Sequence, residues 1–447
     1  MRSNGAYAGP SMNRRRLLAA GGGVAAAGTL AACGGPEEEE TAEDGGLTWD
    51  EETQNYVMEA DVESGETPIK IWFEDEALAQ ASIAAFQAVY PDVKVEYELV
   101  AKNDTVEKMS LAGPAGNGAD VYMTFYDQVA RAIDDASAAP LGNYSNVLAD
   151  RVPEAFVSVV SSDQGMCAVP LTTESIALFY NKTLLKQITG SDAPATTWEE
   201  IQAVAATYND AAANTWTIQF TPGEIYHGYA VLSSAGWRAY PDGDINEPGF
   251  DDPALTTALT YFQGLRELFD VPSADATDTI LTEEFAKGTL PYAITGPWAF
   301  AAFDAAAAEL GFEYGVTVLP QVDGGQPAAS MAGMHCAAVS GSTKIPAAAR
   351  VFANFLASDE GAKVMYEVTG QIPALTAELQ ANIEGLADDP HVAGIVAQSA
   401  QAELFPTLPS YYWETGNTLL SDVWNDLSSV EDAQAKAADG YDELNGL

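Results

Sequence analysis

Carboxylates dominate the side chains able to do chemistry: 447 residues carry 65 Asp and Glu against 19 Lys and Arg, three His and three Cys. Two carboxylates flanking a glycosidic bond are the machinery of glycan hydrolysis, but so many acids offer pairs at every separation, so this chemistry stays open. His227, His335 and His391 are dispersed, with neither H-E-x-x-H nor G-x-S-x-G spacing, which removes the commonest metallo- and serine-hydrolase signatures. Asp242-Gly243-Asp244-Ile245-Asn246 begins like a calcium loop. Glu247 then stands where the sharp turn needs glycine, and Pro253 where a bidentate Glu is needed, so the segment reads as a surface turn. The chain has no G-x-x-x-x-G-K-[ST] phosphate cradle, and Gly113-Pro114-Ala115-Gly116-Asn117-Gly118 precedes a strand instead of joining strand to helix. No motif implies a cofactor. A formal charge of −46 repels phosphate backbones and rules against nucleic acid as a partner. Trp298 is the aromatic best placed for binding, because Gly296-Pro297 supplies a turn and a helix start that leave its indole at an element's edge.

The elements that would position such groups alternate. Ile69–Phe73 reads as a strand, Ala77–Tyr90 as a helix, Val93–Tyr97 and Ala119–Phe125 as strands again, and a second series starts at Ile176–Tyr180. This order predicts a mostly parallel sheet with helices on both faces and ligands beyond the carboxyl ends of the strands. Thr197-Trp198-Glu199-Glu200 fits a capping box. Leu255, Leu259, Phe262, Leu265 and Phe269 mark one buried helical face, and further helical patterns run over 347–356, 359–368, 391–402 and 417–427. At about 100–200 residues per domain the length predicts two or three folding units.

Residues 1–32 read as a cleavable export signal: Arg14-Arg15-Arg16 precede an Ala- and Gly-rich run from Leu17 to Ala32, too short and weakly apolar to span ~30 Å of hydrocarbon. The adjacent arginines resemble a twin-arginine signal. Leu30-Ala31-Ala32-Cys33 resembles the lipobox of bacterial lipoproteins, which implies acylation of Cys33. At ~0.8 kcal/mol per buried CH₂, acyl chains would hold the protein on the outer face of the cytoplasmic membrane, anchored without spanning it. Residues 33–66 read as an acidic tether. Cys167 and Cys336 remain, either as a disulfide or as two buried thiols.

The run Phe285-Ala286-Lys287-Gly288, continuing through Pro291-Tyr292-Ala293-Ile294 to Thr295-Gly296-Pro297-Trp298-Ala299-Phe300, resembles the extracellular solute-binding proteins of carbohydrate ABC transporters, most of all their maltose/maltodextrin branch. Tyr314–Pro320, Glu174 with Tyr180–Leu185, Thr197–Ile201 and Gly118–Val121 match in the same order, so the resemblance covers nearly all of residues 67–445. It implies an α/β, two-lobed, periplasmic-binding-protein-like fold with hinge-connected discontinuous lobes. One lobe would take 67–172 and 337–385, the other 178–331 and 391–447, with crossings at 173–177, 332–336 and 386–390. Cys167 and Cys336 would then lie near two crossings, where a bond would restrain the hinge. The implied protein is a monomer that catalyses nothing, with a carbohydrate ligand, the permease subunits of an importer and, through its lipid, the membrane as partners.

A sugar ring presents hydroxyls at its edge and C–H groups on its faces, so its receptor needs carboxylates or amides and planar aromatics. The resemblance assigns the stacking platform to Trp298, hydroxyl binding to Asp127 and Glu174, and a second-lobe Glu-x-Tyr to Glu224 and Tyr226. Tyr412 and Trp413 stand near the family's late aromatic pair, whose strict register falls on Thr415 and Gly416. The family's first-lobe tryptophan falls on Thr124, and its cationic donors fall on Ala77 and Gln128. Glu76, beside Ala77, and Gln128 complete the expected site. These four departures remove stacking surface and cationic donors, and so should change which sugar or oligosaccharide of the maltodextrin-like kind fits. Acids and aromatics would equally suit a cation such as a polyamine.

Overall fold

A computed structural model describes residues 46–241, 243–405 and 408–445. The export signal and Cys33 lie outside the described residues.

Two sheets organise the chain. The larger has six strands in the spatial order Ile372–Pro373, Ala168–Glu174, Gly333–Val339, Val121–Phe125, Ile69–Phe73, Val95–Leu99. Ile69–Phe73 is buried at every position but Lys70, as a strand covered on both faces requires, and it pairs in parallel with Val95–Leu99 and Val121–Phe125. The smaller sheet runs Ile218–Gln219, Tyr292–Thr295, Ala177–Asn181, Tyr314–Thr317.

The expectation of a mostly parallel sheet needs correction. Gly333–Val339 is antiparallel to both its neighbours, and Ala177–Asn181 is antiparallel to Tyr292–Thr295 and Tyr314–Thr317. The reason is connectivity: these strands lie where the chain passes from one sheet to the other, and a fully buried strand has the same apolar pattern in either direction. At two of these passages the Ser175 and Ser330 hydroxyls meet at 2.7 Å, buried.

Local signals mostly hold. The helix Glu76–Val89 is capped by Asp75, which accepts from Leu78 N–H at 3.0 Å, and it buries Phe86 edge-on against Phe352 with centroids 4.9 Å apart. Thr197 accepts from Glu200 N–H at 3.2 Å, while Glu200 reaches back one residue further than expected, to Thr196 N–H at 2.6 Å. Pro253–Gly264 is α-helical and tightens into a 3₁₀ turn at Leu265–Glu267, keeping Leu265 and Phe269 buried. The second strand is Val95–Leu99, two residues later than its alternation suggested, and the helix expected over 417–427 is Ser410–Trp424.

Residues 46–66 are folded, which shortens the expected tether. Trp49–Asp50 pairs with Asn55–Tyr56, and Trp49, Tyr56 and Tyr144 pack edge to face. Glu59 accepts from Ala347 and Ala348 N–H at 2.9 and 3.0 Å, capping the helix Pro346–Leu356. The disulfide is also corrected: Cys167 and Cys336 are free, buried thiols. Ala168 faces Ala338 and Pro170 faces Cys336, so Cys167 lies three residues along the ladder from Cys336. At ~3.4 Å per residue that is about 10 Å, beyond the reach of a disulfide.

Candidate functional site

The carboxyl ends of the parallel strands open on one cleft of about 690 Å³. Glu74 follows Ile69–Phe73, Lys102 follows Val95–Leu99, and Tyr126-Asp127-Gln128 follow Val121–Phe125. Gly333–Val339 runs the opposite way, so its first residues, not its last, reach the same rim. From the smaller sheet, Trp298 follows Tyr292–Thr295, and Glu224 and Tyr226 sit at the start of the helix Ile225–Ser234.

The structure brings Asp127, Gln128, Glu174, Glu224 and Tyr226 together around this cleft, with Trp298 and Trp413. It leaves Glu76 and Tyr412 out. Glu76 sits in the first turn of its helix, in an adjoining groove with Asp75 and Gln80, and Glu74 at the strand end lines both that groove and the cleft. Tyr412 is 0% exposed and stacks on Phe250 with centroids 5.7 Å apart. Its spacing to Leu419, Leu420 and Val423 is that of a helix's core face, and Trp413, about 100° further round, reaches the cleft.

Trp298 is held on both sides. Its Nε1–H donates to Asp278 Oδ2 at 2.9 Å, and Asp278 Oδ1 accepts from the Thr295 hydroxyl at 2.8 Å. The ring lies so close to Gly296 that a Cβ there would stand 2.1 Å from it, which explains the glycine. Tyr226 packs beside it, with ring centroids 6.4 Å apart. Trp413 Nε1–H donates to Asp127 Oδ2 at 3.0 Å. Burial raises the Asp127 carboxyl above its ordinary range, against the Trp413 bond and bonding around Gln128.

Glu174 is 6% exposed. Its Oε1 lies 3.0 Å from His335 Nε2 and accepts from Gln371 Nε2–H at 3.2 Å. Burial pushes this carboxyl up, but the attraction and hydrogen bond of His335, with the charge of Lys102, outweigh it and hold the group below its usual range. Lys102 in turn pairs with Glu74 Oε1 at 2.6 Å and lies over the Phe125 ring at 5.4 Å. The same balance, burial opposed by Lys102, lowers Glu74. Lys102 is buried, so removing Glu74 would leave its ammonium without its ion-pair partner. Glu224 is half exposed, and the adjacent His227, with Nδ1 3.3 Å away, lowers its carboxyl. Neither His227 nitrogen has a bond of good geometry, and the buried Tyr226 hydroxyl is unpartnered; burial raises that phenol, which therefore stays a donor.

Glu74, Lys102, Asp278, His335 and Gln371 carry no motif and went unmarked in the sequence. Glu74 was nonetheless findable, because it directly follows the apolar strand Ile69–Phe73 on the expected ligand side.

Two α/β lobes with acids and aromatics at their facing edges make a ligand-binding cleft. The family profile of the bacterial extracellular solute-binding proteins matches residues 81–394, and the chain belongs to that family. It is 26% identical to the galactooligosaccharide-binding protein of Bacillus subtilis over 374 residues, 80% of this chain and 84% of that one. It is 24% identical to the maltooligosaccharide ABC transporter solute-binding lipoprotein of Streptococcus pneumoniae serotype 4 over 340 residues, 75% and 77% of the two chains. Among solved structures, a cyclo/maltodextrin-binding protein complexed with maltotetraose superposes with a TM-score of 0.70 at 24% identity, covering 85% of this chain and 97% of its own. MalX from Streptococcus pneumoniae in complex with maltopentaose gives 0.73 at 22%, covering 84% and 100%. These likenesses establish the two-lobed fold.

Proposed function

We propose that the protein is a receptor for a neutral oligosaccharide, captured between the lobes and delivered to the permease of an ABC importer. Trp298 is the stacking platform; Glu174, Asp127 and Glu224 accept hydroxyl hydrogen bonds; Tyr226 donates one; Gln128 and Trp413 close the rim. The observation that carries this reading is one cleft whose facing edges hold a pinned indole and a buried, ionised carboxylate with a free oxygen. Each neutral hydrogen bond to a sugar hydroxyl nets only ~0.5–1.5 kcal/mol against water, and more to a carboxylate, so affinity requires several made together in a closed cleft. Closure follows if the ligand touches both lobes, because binding then favours the closed form. The lobes comprise residues 67–172 with 337–385, and 178–331 with 391–447, and acylated Cys33 tethers the monomer to the outer face of the cytoplasmic membrane. The oligosaccharide-binding names of the relatives support the ligand class.

A thermal-shift screen of the chain from residue 34 onward, against maltotriose, galacto-oligosaccharides and a polyamine, tests the reading, because a ligand of the native state raises Tm. A neutral oligosaccharide is expected to raise it and to be recovered unaltered on chromatography. A shift with the polyamine alone, or shortened sugar products, would contradict the reading.

A further inference from the structure

Behind Glu174 runs a line of polar groups, buried at His335 and Lys102 and reaching the surface at Glu74, that stacking and hydroxyl binding do not themselves require. Glu74 accepts from the Lys102 ammonium at 2.6 Å and from the Lys102 backbone N–H at 3.0 Å. Lys102 Nζ stands 3.1 Å from His335 Nδ1 and 3.3 Å from Nε2, and His335 Nε2 stands 3.0 Å from Glu174 Oε1. The groups come from four segments, with His335 233 positions beyond Lys102. Lys102, His335 and Glu174 are 6%, 3% and 6% exposed. An ammonium only donates and an imidazole nitrogen can donate to a carboxylate, so His335 occupies the Oε1 side of Glu174 with the Lys102 charge directly behind it. Oε2 of Glu174 has no hydrogen-bond donor among the described residues. It borders Gly333, where a Cβ would lie 3.3 Å from it and 3.4 Å from the Tyr226 hydroxyl.

We propose that Lys102 and His335 are positioning residues for ligand capture: His335, backed by the Lys102 ammonium, occupies Oε1 of Glu174 and leaves the carboxylate with Oε2 free for the ligand. This rests on the reading that Glu174 accepts a ligand hydroxyl. The other titratable group facing Glu174 is the Tyr226 phenol from the opposite wall; Gln371 is uncharged, and Glu74 lies behind Lys102, neutralised by it. A carboxylate this buried, stripped of its partners, titrates toward neutral pH, and its protonated form gives up acceptor capacity. The relay thus keeps capture constant across a pH range in which an unassisted acid would fail.

The test is calorimetric titration of maltotriose between about pH 5 and pH 8 into the wild type, His335→Phe, His335→Gln and Lys102→Met. Wild-type affinity should change less than about twofold, and His335→Phe should lose about tenfold or more between pH 8 and pH 5. His335→Gln, whose amide offers both a donor to Oε1 and an acceptor to Lys102, should restore most of the flat profile. Lys102→Met should resemble His335→Phe with a shallower slope. An equal loss at every pH in His335→Phe, or a wild-type affinity that itself falls toward pH 5, would overturn the proposal. Where a variant does not fold, the ¹³C titration of the wild-type Glu174 carboxyl, assigned with Glu174→Gln, decides. A midpoint below the ordinary carboxylate range supports the relay and one above it refutes it. If the wild type binds no neutral oligosaccharide at any pH, the functional reading fails, and the carboxyl titration alone judges the relay.

Discussion

The two walls of the cleft satisfy their polar groups to different degrees. On the side of the six-stranded sheet, Glu74, Lys102, His335 and Glu174 form a partnered series of ion pairs and hydrogen bonds. On the side of the smaller sheet, Trp298 is pinned by Asp278, yet beside it the Tyr226 hydroxyl is buried without a partner, and His227 has only the 3.3 Å approach of Glu224 at Nδ1 and nothing at Nε2 among the described residues. A buried polar group left unpaired costs about 1–3 kcal/mol. One wall is therefore largely paired before any ligand arrives, with Glu174 Oε2 left open to it, while the other is relieved when hydroxyls fill it. The contrast teaches that preorganisation and ligand-dependent gain can be divided between lobes, which gives closure its driving force.

The contrast breaks hardest at Trp298. Trp298→Ala should weaken oligosaccharide binding about 10- to 100-fold, the ~1.5–3 kcal/mol of one large buried side chain, while circular dichroism stays native. Unchanged affinity would remove the platform from the aromatic wall. Tyr226→Phe sharpens the comparison. It deletes the unpartnered hydroxyl, so it should cost binding about 2- to 10-fold and leave the stability of the free protein equal or higher, whereas a loss of free-protein stability would mean the hydroxyl was already satisfied.

The charged wall is probed through acid. The folded Glu174 carboxyl lies below its unfolded value of 4.5, so its stabilisation is full above that value and fades as the pH falls through the folded one. The stability gap between the wild type and Glu174→Gln, measured by urea unfolding, should narrow from about pH 6 to about pH 3. A constant gap would deny the depressed titration. The smallest effect is covalent: thiol titration of the unfolded chain from residue 34 onward should find both Cys167 and Cys336 reduced, and fewer than two thiols would restore the hinge bond.

How much of this was legible in the sequence follows from where each signal resides. Trp298 was readable because Gly296 and Pro297 beside it announce a turn and a helix start. Strands such as Ile69–Phe73 declare themselves by composition, but not their direction, so the antiparallel crossing strands could not be told from parallel ones. Tyr412 and Trp413 are neighbours in sequence with opposite fates, and only the helical phase set by Leu419, Leu420 and Val423 separates core from cleft. His335 looked isolated because its partners, Lys102 and Glu174, come from distant segments, and a relay assembled by folding leaves no local pattern.

A crystal structure of the oligosaccharide complex tests the central claim most directly. The account predicts a sugar ring lying against the Trp298 indole with a hydroxyl bonded to Glu174 Oε2. A ligand bound elsewhere on the molecule, or in the cleft but touching neither residue, would contradict it.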